Sequence, residues 1–517
     1  NAITVDFDKA AVSPLNALAN VVDPVTGTRR TINGGLIFAG QNGAPTHQGN
    51  QPAVKVAPRI GAVYSLDDKT VIRGGWGLYY APWNYPAAGT TGWGQMGYSA
   101  TTSIPQTPGT PTVSMSNPFP AGLIKPTGNS LGLLTGAGGD IYFVDPTKGA
   151  PRAQQYSADV QRELPGGVSV TVGYTGLTGS NLGWGGSSNT TININQLDPK
   201  YQTLVPNTLA TVANPFYGVA GAGQFATRTT IEVGQLLRPY PQFGNVYMQQ
   251  STGARSQYNA GILQLRRRAT GLWGGNFSYT FSRLKDNQFG QSNYYSAAPG
   301  IQNNYTVIPG SAYYNPDSEY TRSLLDSPHK VVLAPTVNLP LGKGHSLLNS
   351  GIADAVFGGW SVTTVVTFQS GFPIGIYQNE PANSFLFGGN LRPNLVPGVD
   401  VIAAGDITDR IRANTTDNLI LNKAAFTATA VNAYGNAPRV LPGVYSPNRN
   451  NVDLSVSKEI KLIGRASLSA RVEVLNLLNQ VQWAAPASTA FGASSFGQIT
   501  NQANNMRMTQ FTLRASF

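Results

Sequence analysis

The sequence contains no cysteine, which excludes a disulfide framework and a thiolate metal site alike. Histidine is nearly absent: His47, His329 and His345 are too scattered to form a metal pair at helical spacing. Charge is scarce as well. Asp, Glu, Lys and Arg make up 11% of the 517 residues, against roughly 25% in soluble domains. No apolar run is long enough for a membrane-spanning helix. The nearest approach, Gly351 to Phe368, carries Asp354, several glycines and a β-branched stretch, and reads as a loop followed by a strand. The chain opens at Asn1 with neither an initiator Met nor a signal peptide, the pattern expected of a processed protein or a fragment.

What the chain does have is 59 Gly and 35 Pro, abundant Asn, Gln, Ser and Thr, and an ordinary 41% of hydrophobic residues. Little of that mixture favours helix, and it suits strands joined by long polar loops. The 7 Trp, 23 Tyr and 20 Phe are too many for a disordered chain. A net charge of +11 permits contact with anionic partners such as lipopolysaccharide. The densest basic block, Arg266-Arg267-Arg268, is too short to point to nucleic acid and reads as a solvated strand end.

Alternation with a period of two recurs along the chain. At the carboxy terminus Thr509, Phe511, Leu513, Ala515 and Phe517 share one face, while Met508, Gln510, Thr512, Arg514 and Ser516 share the other. Hairpins are expected at Ile60–Ala81, Tyr156–Tyr174, Tyr258–Arg283 and Val452–Asn476. A further strand pair is expected in Lys330–Leu339 and Gly359–Ile374, and a bulge near Gly261. Ala2–Phe7 reads as the end of one more strand, giving eleven strands, or twelve with it. Connections alternate between short and very long, which is uncommon in compact soluble domains. Transmembrane β-barrels show this asymmetry, with short periplasmic turns and long extracellular loops. Tyr64, Tyr80, Tyr156, Tyr174 and Trp360 fit the aromatic girdles of such a barrel. The fold class expected is therefore all-β, an antiparallel transmembrane β-barrel of about twelve strands in the bacterial outer membrane.

Several segments carry a family resemblance, in order along the chain: Ala57-Pro58-Arg59-Ile60-Gly61 with Thr70-Val71-Ile72-Arg73-Gly74-Gly75-Trp76-Gly77, then Gln161-Arg162-Glu163-Leu164-Pro165, Tyr279-Thr280-Phe281-Ser282 and Gln369-Ser370-Gly371-Phe372-Pro373. Arg471-Val472-Glu473-Val474-Leu475-Asn476-Leu477-Leu478-Asn479 and the terminal Phe517 complete the set. Together they resemble the carboxy-terminal part of a TonB-dependent outer-membrane receptor of the Oar type, whose members carry a carboxypeptidase-regulatory-like domain ahead of the plug. The resemblance implies that residues 1–517 belong to a 22-stranded barrel, with neither plug nor TonB box recognisable here. It implies uptake of a scarce ligand (a siderophore, oligosaccharide or peptide) through loops that capture it and a plug pulled by TonB. TonB would then be reached only through the missing amino-terminal half. It also implies an assembly signal in the last strand, at Phe511, Leu513 and Phe517, read by the barrel-assembly machinery. A free edge is accordingly expected at Ala2–Phe7 and another at Met508–Phe517.

Catalysis has little support in the sequence: no nucleophile elbow is present, and no cofactor or metal is expected. Gly74-Gly75-Trp76-Gly77 alternates as a strand and precedes no helix, so it is not a phosphate loop. Arg73, Asp159, Arg471 and Glu473 fall on polar strand faces and are expected to line the lumen, as structural pairs before ligand contacts. Trp83, Tyr85, Trp93 and Tyr98 in the first long loop are candidates for stacking on a ligand, or for packing within the loop. Two other readings stay open: a passive porin or surface protein without energy coupling, and a soluble all-β carbohydrate-binding protein.

Overall fold

The computed structural model describes residues 4–49, 54–81, 96–104, 113–184, 192–204, 207–269, 271–288, 302–378, 391–430, 433–461 and 466–517. One antiparallel sheet dominates. Its strands in chain order are β1 (Arg59–Asp67), β2 (Thr70–Tyr80), β3 (Arg152–Leu164), β4 (Val168–Gly183), β5 (Thr252–Arg267), β6 (Trp273–Asp286), β7 (His329–Asn338), β8 (Trp360–Gln369), β9 (Arg449–Lys461), β10 (Ser467–Leu475) and β11 (Met508–Ser516). Each pairs with the next, and the short strand Thr321–Arg322 pairs beside β6 as the twelfth member. All four expected hairpins are present, as is the β7–β8 pair.

Register explains why these segments become strands. Residues directly opposite in an antiparallel pair project from the same face. One such row runs Ile72, Val160, Val172, Leu263, Tyr279, Val331 and Phe368 across seven strands. The row one residue away on the opposite face runs Val71, Gln161, Thr171, Gln264, Ser278, Val332 and Thr367, mostly polar. The period-two pattern of each strand is thus in phase with its neighbours, and the sheet acquires one apolar and one polar face. Where polar groups fall on the apolar face they find partners: Tyr174 Oη donates to Asn259 Oδ1 at 2.6 Å. Pro335 lies inside β7, and the ladder to β8 lapses at Ala334 and Pro335, as expected of a residue without an N–H.

Because every pairing is between sequence neighbours, successive connections alternate between the two ends of the sheet. At one end lie the turns 68–69, 165–167 and 268–272 and the connections 339–359 and 462–466. Gly166 and Gly167 both take positive φ, 84° and 72°, in the second of these turns, where a side chain would be strained. At the other end lie 81–151, 184–251, 287–328, 370–448 and 476–507. Their described residues fold into a cap with its own apolar cores, one around Phe143, Ile192, Phe243 and Val246, another around Ile374, Leu421, Phe426 and Phe496.

Four expectations need correction. Thr4–Val12 is a strand, but it pairs with Asn33–Phe38 in a separate hairpin and packs Phe7 against Phe143, Tyr240 and Phe243 of the cap. A single apolar-polar stretch does not say which partner it will bury itself against, and this one joins the cap. The free edges of the sheet are consequently β1 and β11, at Arg59–Asp67 and Met508–Ser516, which are not paired with each other. No bulge occurs at Gly261. The β5–β6 register is continuous there, and the irregularity of β5 lies at Thr252–Ser256 against β4. In addition, the connection before β8 holds a short helix, Gly351–Phe357, where sequence alone suggests loop.

Candidate functional site

The polar face of β2 to β6 carries a concavity of about 700 Å³ lined by Arg73, Asp159, Gln161, Thr171, Gln264 and Arg266. It continues into a second of about 590 Å³ toward the short turns, where Lys69, Glu163, Arg267 and Arg268 join the lining. Strand alternation delivers these side chains: positions 159, 161 and 163 of β3 and 264 and 266 of β5 share the face. Arg73 Nη1 lies 3.4 Å from Asp159 Oδ1, and its Nη2 donates to Gln161 Oε1 at 2.7 Å. Arg471 and Glu473, two apart on β10, approach to 3.7 Å. All four charges therefore lie on the polar face as two local pairs, which sit on strands far apart in the sheet and are not brought together. Their partial exposure places them in water or against a polar surface, where an ion pair is worth little.

The cap adds a smaller concavity of about 260 Å³, lined by Lys9, Asp198, Tyr240, Tyr305, Ile308 and Tyr313 among others. Tyr313 Oη donates to Asp198 Oδ1 at 2.8 Å, and Tyr305 Oη donates to the Gln196 carbonyl at 2.5 Å. Burial pushes the Tyr240 phenol up to about 12, and that of Tyr305 higher still. These phenols stay protonated at any physiological pH and act as hydrogen-bond donors and apolar walls. Sequence reasoning missed this cluster because its members come from the amino-terminal segment and two distant connections with no periodicity; the density of tyrosine after Tyr240 was the one available signal. Among the loop aromatics singled out in the sequence, Tyr98 packs edge-on against Phe38 with ring centroids 6.0 Å apart. Trp83, Tyr85 and Trp93 lie outside the described residues.

The parts of the cap are tied to each other and to the sheet by guanidinium groups. Arg439 donates to the Asp286 carboxylate at 2.7 Å, to the Asp286 carbonyl and to the Gln288 carbonyl, with both side chains almost wholly buried. Arg392 meets Glu319 at 2.9 Å, also buried. Asp286 ends β6, so the first pair fastens the connection 370–448 directly onto the sheet rim.

At the last strand, Phe511 and Leu513 project from the apolar face opposite Val472 and Ala470, and Phe517 follows, fully exposed. Every side chain of β11 is exposed, as expected of an edge strand whose apolar face has no protein over it. What the arrangement offers chemically is a sheet with one lipid-compatible face, one polar concave face and a folded cap at one end. It is an architecture for crossing a bilayer.

Such a molecule is an outer-membrane β-barrel protein. Residues 2–510 match the family model of the outer membrane beta barrel domain, and the chain belongs to that family. Its place is accordingly the bacterial outer membrane. No curated protein sequence matches it. Among solved structures it is similar to the outer membrane transporter YddB from Escherichia coli, at 8% identity and a TM-score of 0.40 over 89% of this chain and 40% of that one. It is also similar to the ferripyoverdine receptor of Pseudomonas aeruginosa, at 11% identity and a TM-score of 0.35 over 88% and 32%. A third similarity is to the siderophore receptor PiuA from Acinetobacter baumannii, at 8% and 0.35 over 95% and 38%. The chain spans well under half the length of each of these proteins.

Proposed function

We propose that residues 1–517 are the carboxy-terminal part of the barrel of a TonB-dependent active transporter, and that the cap captures its ligand on the cell surface. The observation that carries this reading is the asymmetry of the molecule: long connections gather at one end and fold into a concave, tyrosine-lined mass above a polar sheet face. The ordered set of segments from Ala57 to Asn479 that resembles TonB-dependent receptors supports the energy coupling. The cargo is a scarce solute, of the siderophore, oligosaccharide or peptide class. Arg73, Asp159, Arg471 and Glu473 hold the inner face polar and hydrated. TonB acts through an amino-terminal plug and box, and lipid and lipopolysaccharide surround the apolar face.

Uptake tests the coupling. Cells expressing the whole protein should accumulate the ligand only while TonB and the inner-membrane proton gradient are intact. Uptake that persists at the same rate without TonB would make the molecule a passive porin. Assembly tests the last strand: Phe517→Ser should lower the amount of heat-modifiable protein in the outer membrane several-fold, and parental levels would remove Phe517 from the assembly signal.

A further inference from the structure

The short helix Gly351–Phe357 has its amphipathicity inverted relative to a helix in water. Its outward side presents Ile352 and Val356, one helical turn apart and 83% and 49% exposed, with Phe357 beside them at 50%. The carboxylate of Asp354 turns back onto the preceding loop instead, where its Oδ1 accepts from the Lys343 backbone N–H at 2.6 Å. Leu347 and Leu348, just ahead of the helix, are exposed too. Burial of such side chains in an apolar phase is favourable, so this orientation makes sense only where the outward side does not meet water.

The helix is held where that condition is met. Trp360 Nε1 donates to the Val356 carbonyl at 2.8 Å, and Lys458 Nζ donates to the carbonyls of Ala355 and Val356 at 2.5 and 3.1 Å. Trp360 and Lys458 are directly opposite one another in the β8–β9 ladder, in the same alternation phase as Val362, Val366, Val456 and Leu454. They therefore project from the apolar face. Lys458 is buried, capping the last carbonyls of the helix while its ammonium lies 5.6 Å from the Trp360 ring. The helix thus lies against the outside of the sheet at the short-turn end, continuous with the surface that faces lipid.

We propose that Leu347–Phe357 is an interfacial anchor, lying in the headgroup–acyl boundary of the phospholipid leaflet on the short-turn side of the membrane. Ile352, Val356 and Phe357 enter the acyl region, and Lys343 stays with the headgroups. The occupant of this apolar surface is lipid and not a protein partner, because the helix is bonded to Trp360 and Lys458 on the lipid-facing side of the sheet. This inference needs only the outer-membrane location and is independent of any transport.

The chain has no cysteine, so a single introduced thiol can be labelled cleanly. Ile352→Cys and Val356→Cys would each carry an environment-sensitive fluorophore, with Lys69→Cys, in the exposed turn at the same end, as reference. The protein is purified from outer membranes, checked for parental heat-modifiability and reconstituted into phosphatidylcholine vesicles with brominated acyl chains. Brominated lipid should quench positions 352 and 356 by about twofold or more and leave position 69 nearly unchanged. Quenching at 352 and 356 no greater than at 69, together with equal quenching of all three by aqueous iodide, would overturn the anchor. Val356→Cys gives a second reading should the label at 352 disturb assembly.

Discussion

At the scale of single residues, the two faces of the sheet impose opposite demands. Val172 is exposed on the apolar face near the middle of the β3–β4 ladder, and Thr171 faces the polar concavity. A cation at position 172 meets hydrocarbon. Val172→Arg should cost about 2–4 kcal/mol of folding stability in lipid vesicles, and Thr171→Arg far less. Equal costs would show that neither face is in lipid. Leu468 is a poorer probe than its alternation suggests, because it lies beside a short turn and close to the interface. Lys148 poses a different demand in the cap. It is fully buried, its Nζ donates to Gln250 Oε1, and burial lowers its pKa from 10.5 to about 8, with Asp145 opposing the shift. Above pH 8 the unfolded chain holds the proton that the folded one has released, so this lysine's contribution to stability rises with pH between about 8 and 10.5, while the buried phenols, raised above 10, oppose it only past pH 10. Melting followed by tryptophan fluorescence should show this rise, and Lys148→Met should flatten it.

At the scale of elements, the buried Arg439–Asp286 pair is the fastening between cap and sheet. Removing one partner leaves a carboxylate buried without compensation, a loss of about 3–5 kcal/mol. Arg439→Met should therefore loosen the connection 370–448, seen as faster amide exchange across 391–430 with β3 and β4 unaffected. Unchanged exchange would mean that the cap is held by its apolar core alone. The contrast between sheet and cap explains what could be read from sequence. A strand advertises itself locally, since its alternation is complete within ten residues and must agree with its neighbours; Phe277, Tyr279 and Phe281 sufficed to place β6. The cap carries no such local sign. Phe7 finds Phe143 and Tyr240, and Gln196 finds Tyr434, across separations that no window of sequence contains. The same gap explains Thr4–Val12: its apolar residues are legible, and the surface they bury against is not. The pairs Arg73–Asp159 and Arg471–Glu473 were legible as polar-face charges because their faces follow from the same period of two.

At the scale of the whole molecule, a sheet and a cap with opposite solvent requirements are joined in one chain. The sheet exposes apolar side chains over one whole face, and the cap hides them in compact cores. Scarcity of charge follows from this division. One face of each strand must be free of ions where it crosses hydrocarbon, and the cap needs them mainly as internal ties such as Arg392–Glu319. Strands β4 and β5 are longer than a bilayer crossing requires, about 9–11 residues. Their surplus stands beyond the membrane at the long-connection end and gives the cap a rigid base.

The hairpin Thr4–Val12 with Asn33–Phe38 also sets an order of events in time. Arg30 donates to the carbonyls of Leu236 and Arg238, more than two hundred residues later. This hairpin is thus among the last elements of the fold expected to find their place. Contacts so distant in sequence are slow to form, because the intervening chain must first be confined. That confinement comes from β1 to β4, whose neighbour-to-neighbour pairing needs no distant partner. Residues Thr4–Phe38 are consequently expected to dock only after the hairpins behind them are laid down.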